Sequence, residues 1–464
     1  MRTPQSTHIP PAGAASGGGP STAHKYYMLG MLTFVYTMNF VDRQILSVLQ
    51  EPIRAEFNLS DTQLGLLQGI TFALFYVTVG IPIARWADVG NRRNIVALAV
   101  GTWSLMTSLT GFVQNYLQLL LVRIGVGVGE SGGSPPSHSM ISDLFHPSQR
   151  ARALAIYSMG ITFGIFLAYV FGGWVSDNFG WRTVFIVLGV PGVLIAFVVR
   201  FTFIEPVRGA HDGGGASKPP PFLDVLHYLA SRKSFLHLSM GSALHAFTGY
   251  GIGAFLVSFY VRGYQIPHDN LSQITLPIGI IIGVAGVIGN YAGGHLADRL
   301  GERDKRWHLW VPAASTLIAI PFAFAAFAVD HLHLSLLLYA LPLMLGTMYL
   351  GPVLAAAHGI VSPAMRALTS AILFFILNLI GLGLGPTLLG MTSDLLKPLF
   401  GAQSLRYAMM IAFSGYLWSA VHYVLAARYY RQDLERVSNT LSDEDRNASL
   451  VYKLIKAPRR GQTS

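Results

Sequence analysis

Four charged residues stand inside runs that are otherwise apolar over the length of a membrane crossing. Asp42 and Arg43 are adjacent in TFVYTMNFVDRQILSVL (33–49), and Arg123 and Glu130 lie in a second run, YLQLLLVRIGVGVGE (116–130). Charges at such depth are costly, so each must face a partner or a water-filled cavity rather than hydrocarbon. A carboxyl group there can work as a proton carrier, because burial favours its protonated form and a nearby guanidinium favours the ionised one. A guanidinium stays charged and grips phosphate or carboxylate with two parallel hydrogen bonds. These types suit a proton-linked carrier: Asp42 and Glu130 as proton sites, Arg43 and Arg123 as switch partners and anion holders. The plainer alternative is a permanent ion network locking two helices. Counting from the helix ends, Asp42 and Arg123 both lie about 10 Å below the same membrane surface, where opposite charges on facing helices can pair and keep each other ionised. Glu130 follows two turns deeper, on the same helical face as Arg123.

The elements that must position these residues are membrane spans. Hydrophobic residues make up 52% of the 464-residue chain and charged residues only 12%, about half the charge of an ordinary soluble domain. Runs of about 20 apolar residues, enough to cross the hydrocarbon core, recur along the chain. Cysteine is absent, which excludes disulfides and thiolate metal sites. The first apolar run is too long for the core of a signal peptide. Twelve spans are expected, divided six and six by a gap holding Gly213-Gly214-Gly215 and Pro219-Pro220-Pro221. The expected organisation is a disordered tail over 1–25, a six-helix bundle over 26–204, a linker over 205–234, a second bundle over 235–430 and a basic tail over 431–464.

Positive charge sets the orientation. Of the 32 Lys and Arg residues, 25 fall on the two tails and alternate loops and five on the opposite loops. The basic side faces the cytoplasm, placing both termini inside a plasma or bacterial inner membrane. The net charge of +10 is therefore a topology signal and not a sign of nucleic-acid binding.

The two halves also share a loop. GIPIARWADVGNRR (80–93) after span 2 and GGHLADRLGER (293–303) after span 8 each place an aspartate before basic residues at the same point of a six-span half. Such a duplication marks a transporter whose substrate site lies near the midplane between halves. GHLADRLGER resembles the cytoplasmic loop signature of the major facilitator superfamily, and Arg123-Ile-Gly-Val-Gly127 resembles its span-4 motif. The first loop departs from that pattern, with Val89 where the family usually has a basic residue and Asn91 where it has glycine. Within the superfamily, Asn39-Phe-Val-Asp42-Arg43, Arg123 through Ser131 and Asp143-Leu-Phe-His-Pro-Ser-Gln-Arg150-Ala-Arg152 resemble the spinster family. Some organic-anion members share pieces of this pattern.

The resemblance implies an all-α membrane protein of two pseudo-symmetric six-helix bundles, the major facilitator fold. It implies a proton-coupled exporter of lysolipids or sphingosine-1-phosphate-like lipids, working by alternating access as a monomer among membrane lipids. It also implies a cytoplasmic gate made of Asp88 with Arg92 and Arg93, and of Asp298 with Arg299. Polar and aromatic residues of the second half, His245, Thr248, Tyr250 and Asn378, are candidate cavity-lining residues, although a lone His or Tyr in a bundle is commonly a packing residue. Glycines of spans 5 and 8 (Gly160, Gly164, Gly172, Gly279, Gly283, Gly286 and Gly289) suit close helix packing or a seam for an acyl chain. A proton-coupled symporter of small organic anions such as sugar acids is the alternative cargo class. A membrane-embedded lipid enzyme is a distant third. No phosphate-binding glycine loop, metal-ligand cluster or nucleophile elbow is evident, so the expectation is a non-enzyme without cofactor, driven by the proton gradient.

Overall fold

The computed structural model describes residues 21–210 and 221–456, with side chains as far as residue 437. Twelve long helical segments follow one another, and the described residues include no strand. Spans 1 to 6 are Thr22–Val48, Asp61–Val89, Arg92–Thr110, 116–144, Pro147–Phe179 and Trp181–Thr202. Spans 7 to 12 are Lys233–Gly263, Ser272–Gly301, Trp307–Ala328, Leu332–Gly359, 366–400 and 404–456. Inside a bilayer the backbone must satisfy its own hydrogen bonds, and helices do so within one segment. Large apolar side chains such as Phe163, Leu194, Phe197 and Leu337 point outward, each more than half exposed. In water such a surface would aggregate; in lipid it is the solvent-facing surface.

The ends differ in detail from those expected. Ser21 caps span 1 by accepting from the His24 amide, so the helix begins at Thr22, inside the segment expected as a tail. A short helix, Phe222–Ala230, sits in the connection between halves, and the last helix runs on from Gly415 to Lys456. The expected tail residues 1–20 and 457–464 and the linker residues 211–220 lie outside the described residues.

Span 5 packs along span 1 through glycine. A Cβ at Gly160 would come within 2.9 Å of the Thr33 carbonyl oxygen, and one at Gly164 within 2.6 Å of Phe40 Cβ. Gly279 of span 8 meets Tyr169 of span 5 just as closely, whereas Gly286 has nothing within 4 Å of where a Cβ would be. The small residues therefore divide in function. Gly160, Gly164 and Gly289 let helices approach at the backbone, and Gly286 borders the cavity between the halves.

Five spans are irregular, span 12 among them, which breaks at Ser414. Span 2 breaks at Gly69, span 4 between Glu130 and Ser134, and span 10 between Gly346 and Leu350; span 11 turns π-helical over Leu377–Leu384. Non-helical backbone at membrane depth is tolerated where it is buried in protein or lines a cavity. The break in span 2 is completed from the other half: the Ile70 amide donates to Thr387 Oγ1 of span 11 at 3.1 Å.

Candidate functional site

Consecutive helical residues point about 100° apart, so Asp42 and Arg43 cannot serve one partner. Arg43 turns toward span 4 and donates from Nε to Glu130 Oε2 at 2.5 Å. Its guanidinium also lies over the rings of Phe40, Phe72 and Tyr76, with Tyr76 nearest at 4.6 Å. The Glu130 side chain is fully buried, and its second oxygen has no hydrogen-bond partner among the described residues.

Asp42 faces the other way. It shares a cavity of about 10 Å³ with Thr107 and Arg123, which is room for about one water. Its Oδ2 is buried without a hydrogen bond among the described residues. Arg123 donates from Nε to the Leu67 carbonyl at 3.3 Å, just before the break in span 2. Arg123 also lies 4.5 Å from the centre of the Phe72 ring, on which Arg43 rests at 5.4 Å. One aromatic ring thus serves two cations, each attracted by its π-electrons. The four residues singled out by type converge: Arg43 and Glu130 form a close ion pair, Asp42 and Arg123 line one small cavity, and both guanidiniums lie over Phe72.

A cavity of about 350 Å³ lies between the halves, walled by spans 1, 5, 7, 8, 10 and 12. A smaller recess of about 100 Å³ shares Gln44 and Tyr250 with it and reaches Arg43 and Arg123. The guanidiniums therefore border the cavity through this recess. Its opposite wall is aromatic and uncharged. His245 donates from Nε2 to the Gly346 carbonyl at 2.7 Å, since a carbonyl can only accept. The imidazole ring stacks between Tyr349 at 3.9 Å and Tyr416 at 4.5 Å.

Three of the four candidate lining residues of the second half are on this wall. His245, Thr248 and Tyr250 line the cavity, although Thr248 spends its hydroxyl on the Leu244 and Ala412 carbonyls. Asn378 does not: it sits half-buried in the π-helical stretch and lines none of the described cavities. The π-helical winding shifts the register there, which a uniform 3.6-residue reading misses. Sequence reasoning also passed over Gln44, Asn290 and Tyr76. Asn290 was visible as a lone amide in a Gly- and Ile-rich span, and Tyr76 as the residue one turn after Phe72.

The expected cytoplasmic gate is not engaged across the halves. Arg92 is completely buried within the first half, pairing with Asp143 and with Glu205 at 2.7 Å. Arg93 donates from its backbone amide to Glu205 at 3.0 Å. Asp88 is exposed, and its backbone carbonyl, with those of Ala87 and Gly90, accepts from Arg208. Asp298 is exposed beside His308 at 3.6 Å, and Arg299 is exposed. The reason is local: Asn91 caps span 3, which turns Arg92 inward instead of toward the other bundle.

Bonds that join the halves instead concentrate at the face away from the chain termini. Arg262 of span 7 donates to Glu51 and to both oxygens of Asp61, all between 2.7 and 2.9 Å. Ser393 adds a hydroxyl to Asp61 at 2.6 Å. The two bundles are closed there and hold the cavity behind them.

A duplicated six-helix architecture with charged residues at the centre and a cavity between halves defines a membrane carrier. The chain belongs to the Major Facilitator Superfamily, whose model matches residues 32–386. It is similar to an MFS-type efflux pump of Mycolicibacterium smegmatis, 35% identical over 421 residues, covering 90% of this chain and 95% of the relative. It is also similar to protein spinster homolog 1 of Mus musculus, 28% identical over 472 residues, covering 96% and 89%. Among solved structures it resembles a bacterial homologue of the human lysosomal transporter Spinster in an inward-facing, unoccupied conformation. That match has a TM-score of 0.83 and 33% identity, covering 89% of this chain and 99% of the other. Within the superfamily the chain is thus a spinster-like transporter.

Proposed function

We propose that the protein is a proton-coupled secondary transporter of amphipathic anionic or zwitterionic lipids, of lysophospholipid or sphingosine-1-phosphate type, working by alternating access as a monomer. The observation that carries this reading is the junction of an aromatic, apolar cavity with a recess that ends on Arg43 and Arg123. A headgroup phosphate would compete with Glu130 for Arg43, while the chain lies along the tyrosine wall. Protonation of Glu130 would free Arg43 to hold the headgroup, and Asp42 would play the corresponding part beside Arg123. Cargo binding and proton uptake would then share one guanidinium. With the basic, terminus-bearing side in the cytoplasm, the closed face is the outer one and the conformation is inward-facing. The cytoplasmic gate residues Asp88, Arg93, Asp298 and Arg299 would engage when the carrier faces outward, while Arg92 stays paired within its own bundle.

A second reading rests on Gln44, Thr162, Asn290 and Thr347, polar side chains on the same cavity wall. They would suit a small organic anion such as a sugar acid. A thermal-shift series on purified protein separates the two. Lysophospholipids and sphingoid phosphates should stabilise it, and stabilisation by organic acids alone would replace the first reading with the second. Proton-driven uptake into proteoliposomes tests the coupling: Asp42→Asn and Glu130→Gln should both lose gradient dependence. Normal coupling in both variants refutes the assignment.

A further inference from the structure

The closed face is built twice, from one five-residue pattern. Span 5 ends in Gly173-Trp-Val-Ser-Asp177, and span 11 carries Gly390-Met-Thr-Ser-Asp394. These spans are the fifth of each six. Asp177 accepts from the Leu271 and Ser272 amides at 2.7 and 2.8 Å, one on each carboxylate oxygen, at the start of span 8. Asp394 accepts from the Asp61 and Thr62 amides at 3.2 and 2.7 Å, again one on each oxygen, at the start of span 2. Spans 8 and 2 are the second of each six. Thr62 Oγ1 adds a further bond to Asp394 at 2.6 Å.

The glycine of each pattern lies against the same target. A Cβ at Gly173 would come within 3.3 Å of Ser272 Cα, and one at Gly390 within 2.7 Å of the Asp61 carbonyl carbon. The first amides of a helix have no partner within it, and the helix N-terminus favours a negative charge. Span 8 has no side-chain cap of its own at Leu271. Span 2 uses Ser60 to cap the Gln63 amide, which leaves the Asp61 and Thr62 amides for Asp394.

We propose that Asp177 and Asp394 form a pair of pseudo-symmetric latches, each carboxylate capping the opposite half's helix start, so that the outer face opens only when both starts are uncapped together. This rests on the alternating-access reading. Arg262 adds an ionic bond off the symmetry, but the two caps account for the closure being balanced on both sides of the cavity. Loss of one cap acceptor shifts such an equilibrium about five-fold, and two independent losses multiply to about twenty-five-fold.

The absence of cysteine makes this testable with one reporter. Gly253 lines the cavity and has nothing within 4 Å of a Cβ position. In a Gly253→Cys background, a membrane-impermeant maleimide is added to the outer side of right-side-out vesicles. Labelling should rise about five-fold with Asp177→Ala or Asp394→Ala and about twenty-five-fold with both. Asp177→Asn and Asp394→Asn keep one acceptor oxygen and should give a smaller rise; they carry the test if an alanine variant fails to fold. Labelling from the cytoplasmic side of inverted vesicles reports the folded fraction. Wild-type outer labelling that neither substitution changes, or that only one changes, overturns the paired latch alone. Outer labelling absent in every background, the double variant included, overturns alternating access and the latch with it.

Discussion

The two bundles share an architecture and divide the chemistry. The first half holds all four intramembrane charges, grouped around Phe72, with two buried carboxylate oxygens left without partners. The second half faces them with a neutral wall in which His245 is clamped between two tyrosines and its Nε2 is committed to Gly346. Duplication kept what packing needs, namely the helix order and the Gly-x-x-Ser-Asp ends. Polarity at the centre was free to diverge. In the proposed cycle one side exchanges protons and holds an anion, and the other recognises shape and apolar surface.

The sharpest way to break this division is Arg43→Ala. It leaves Glu130 buried without its partner, which should destabilise the protein by about 3–5 kcal/mol and abolish transport. Thermal or denaturant unfolding in detergent measures the first and proteoliposome uptake the second. Adding Glu130→Gln should recover most of the stability and none of the transport. Failure to recover stability would mean that Arg43 acts mainly through its aromatic neighbours.

Glu130→Gln alone should do less harm to folding and remove the response of uptake to a proton gradient, while exchange of cargo down its own gradient continues. On the opposite wall, Tyr416→Leu removes one stacking partner of His245, a contact worth about 0.5–1.5 kcal/mol. Cargo affinity should fall two- to ten-fold on that scale, with the gradient dependence intact. If Tyr416→Leu instead altered the pH profile of transport, the wall would belong to the proton path and the division would fail.

The smallest effect lies outside the membrane. Hydrogen bonds from Arg306, with help from Arg431, hold the Asp304 carboxyl below the usual aspartate range. A carboxyl depressed in the folded state adds stability at neutral pH, and that stability is lost as pH falls through and below the ordinary aspartate range. The Asp304 side chain is half-buried, but both arginine partners reach solvent, so Asp304→Asn should change unfolding only modestly at pH 7 and flatten its acid limb.

Much of this arrangement was legible in the sequence, because membrane burial writes itself in hydropathy and in isolated charges. Asp42, Arg43, Arg123 and Glu130 stood out by cost alone, and the structure brings all four together. Their pairing was less readable: equal depth suggested Asp42 with Arg123, whereas the close ion pair is Arg43 with Glu130. The length of the arginine side chain lets it reach across a turn that helix counting treats as separation. The closed face was nearly invisible. Asp177, Asp394 and Arg262 sit at helix ends, where charge is cheap and therefore uninformative. Only the repeated Gly-x-x-Ser-Asp marked two of them. Arg92 shows the converse. A loop motif suggested a latch between halves, but a helix cap one residue earlier commits the side chain to its own bundle.

The bend in span 2 belongs to two bundles at once. Ile70 finds its acceptor on Thr387 of the other half, so in the proposed cycle this bond holds the kink while the outer face is shut. When the halves part there, that amide loses its acceptor, and the two segments of span 2 are free to straighten into one rod. The shape of a helix would then report the state of the whole carrier. Hydrogen exchange at the Ile70 amide should follow the opening of the outer face in step.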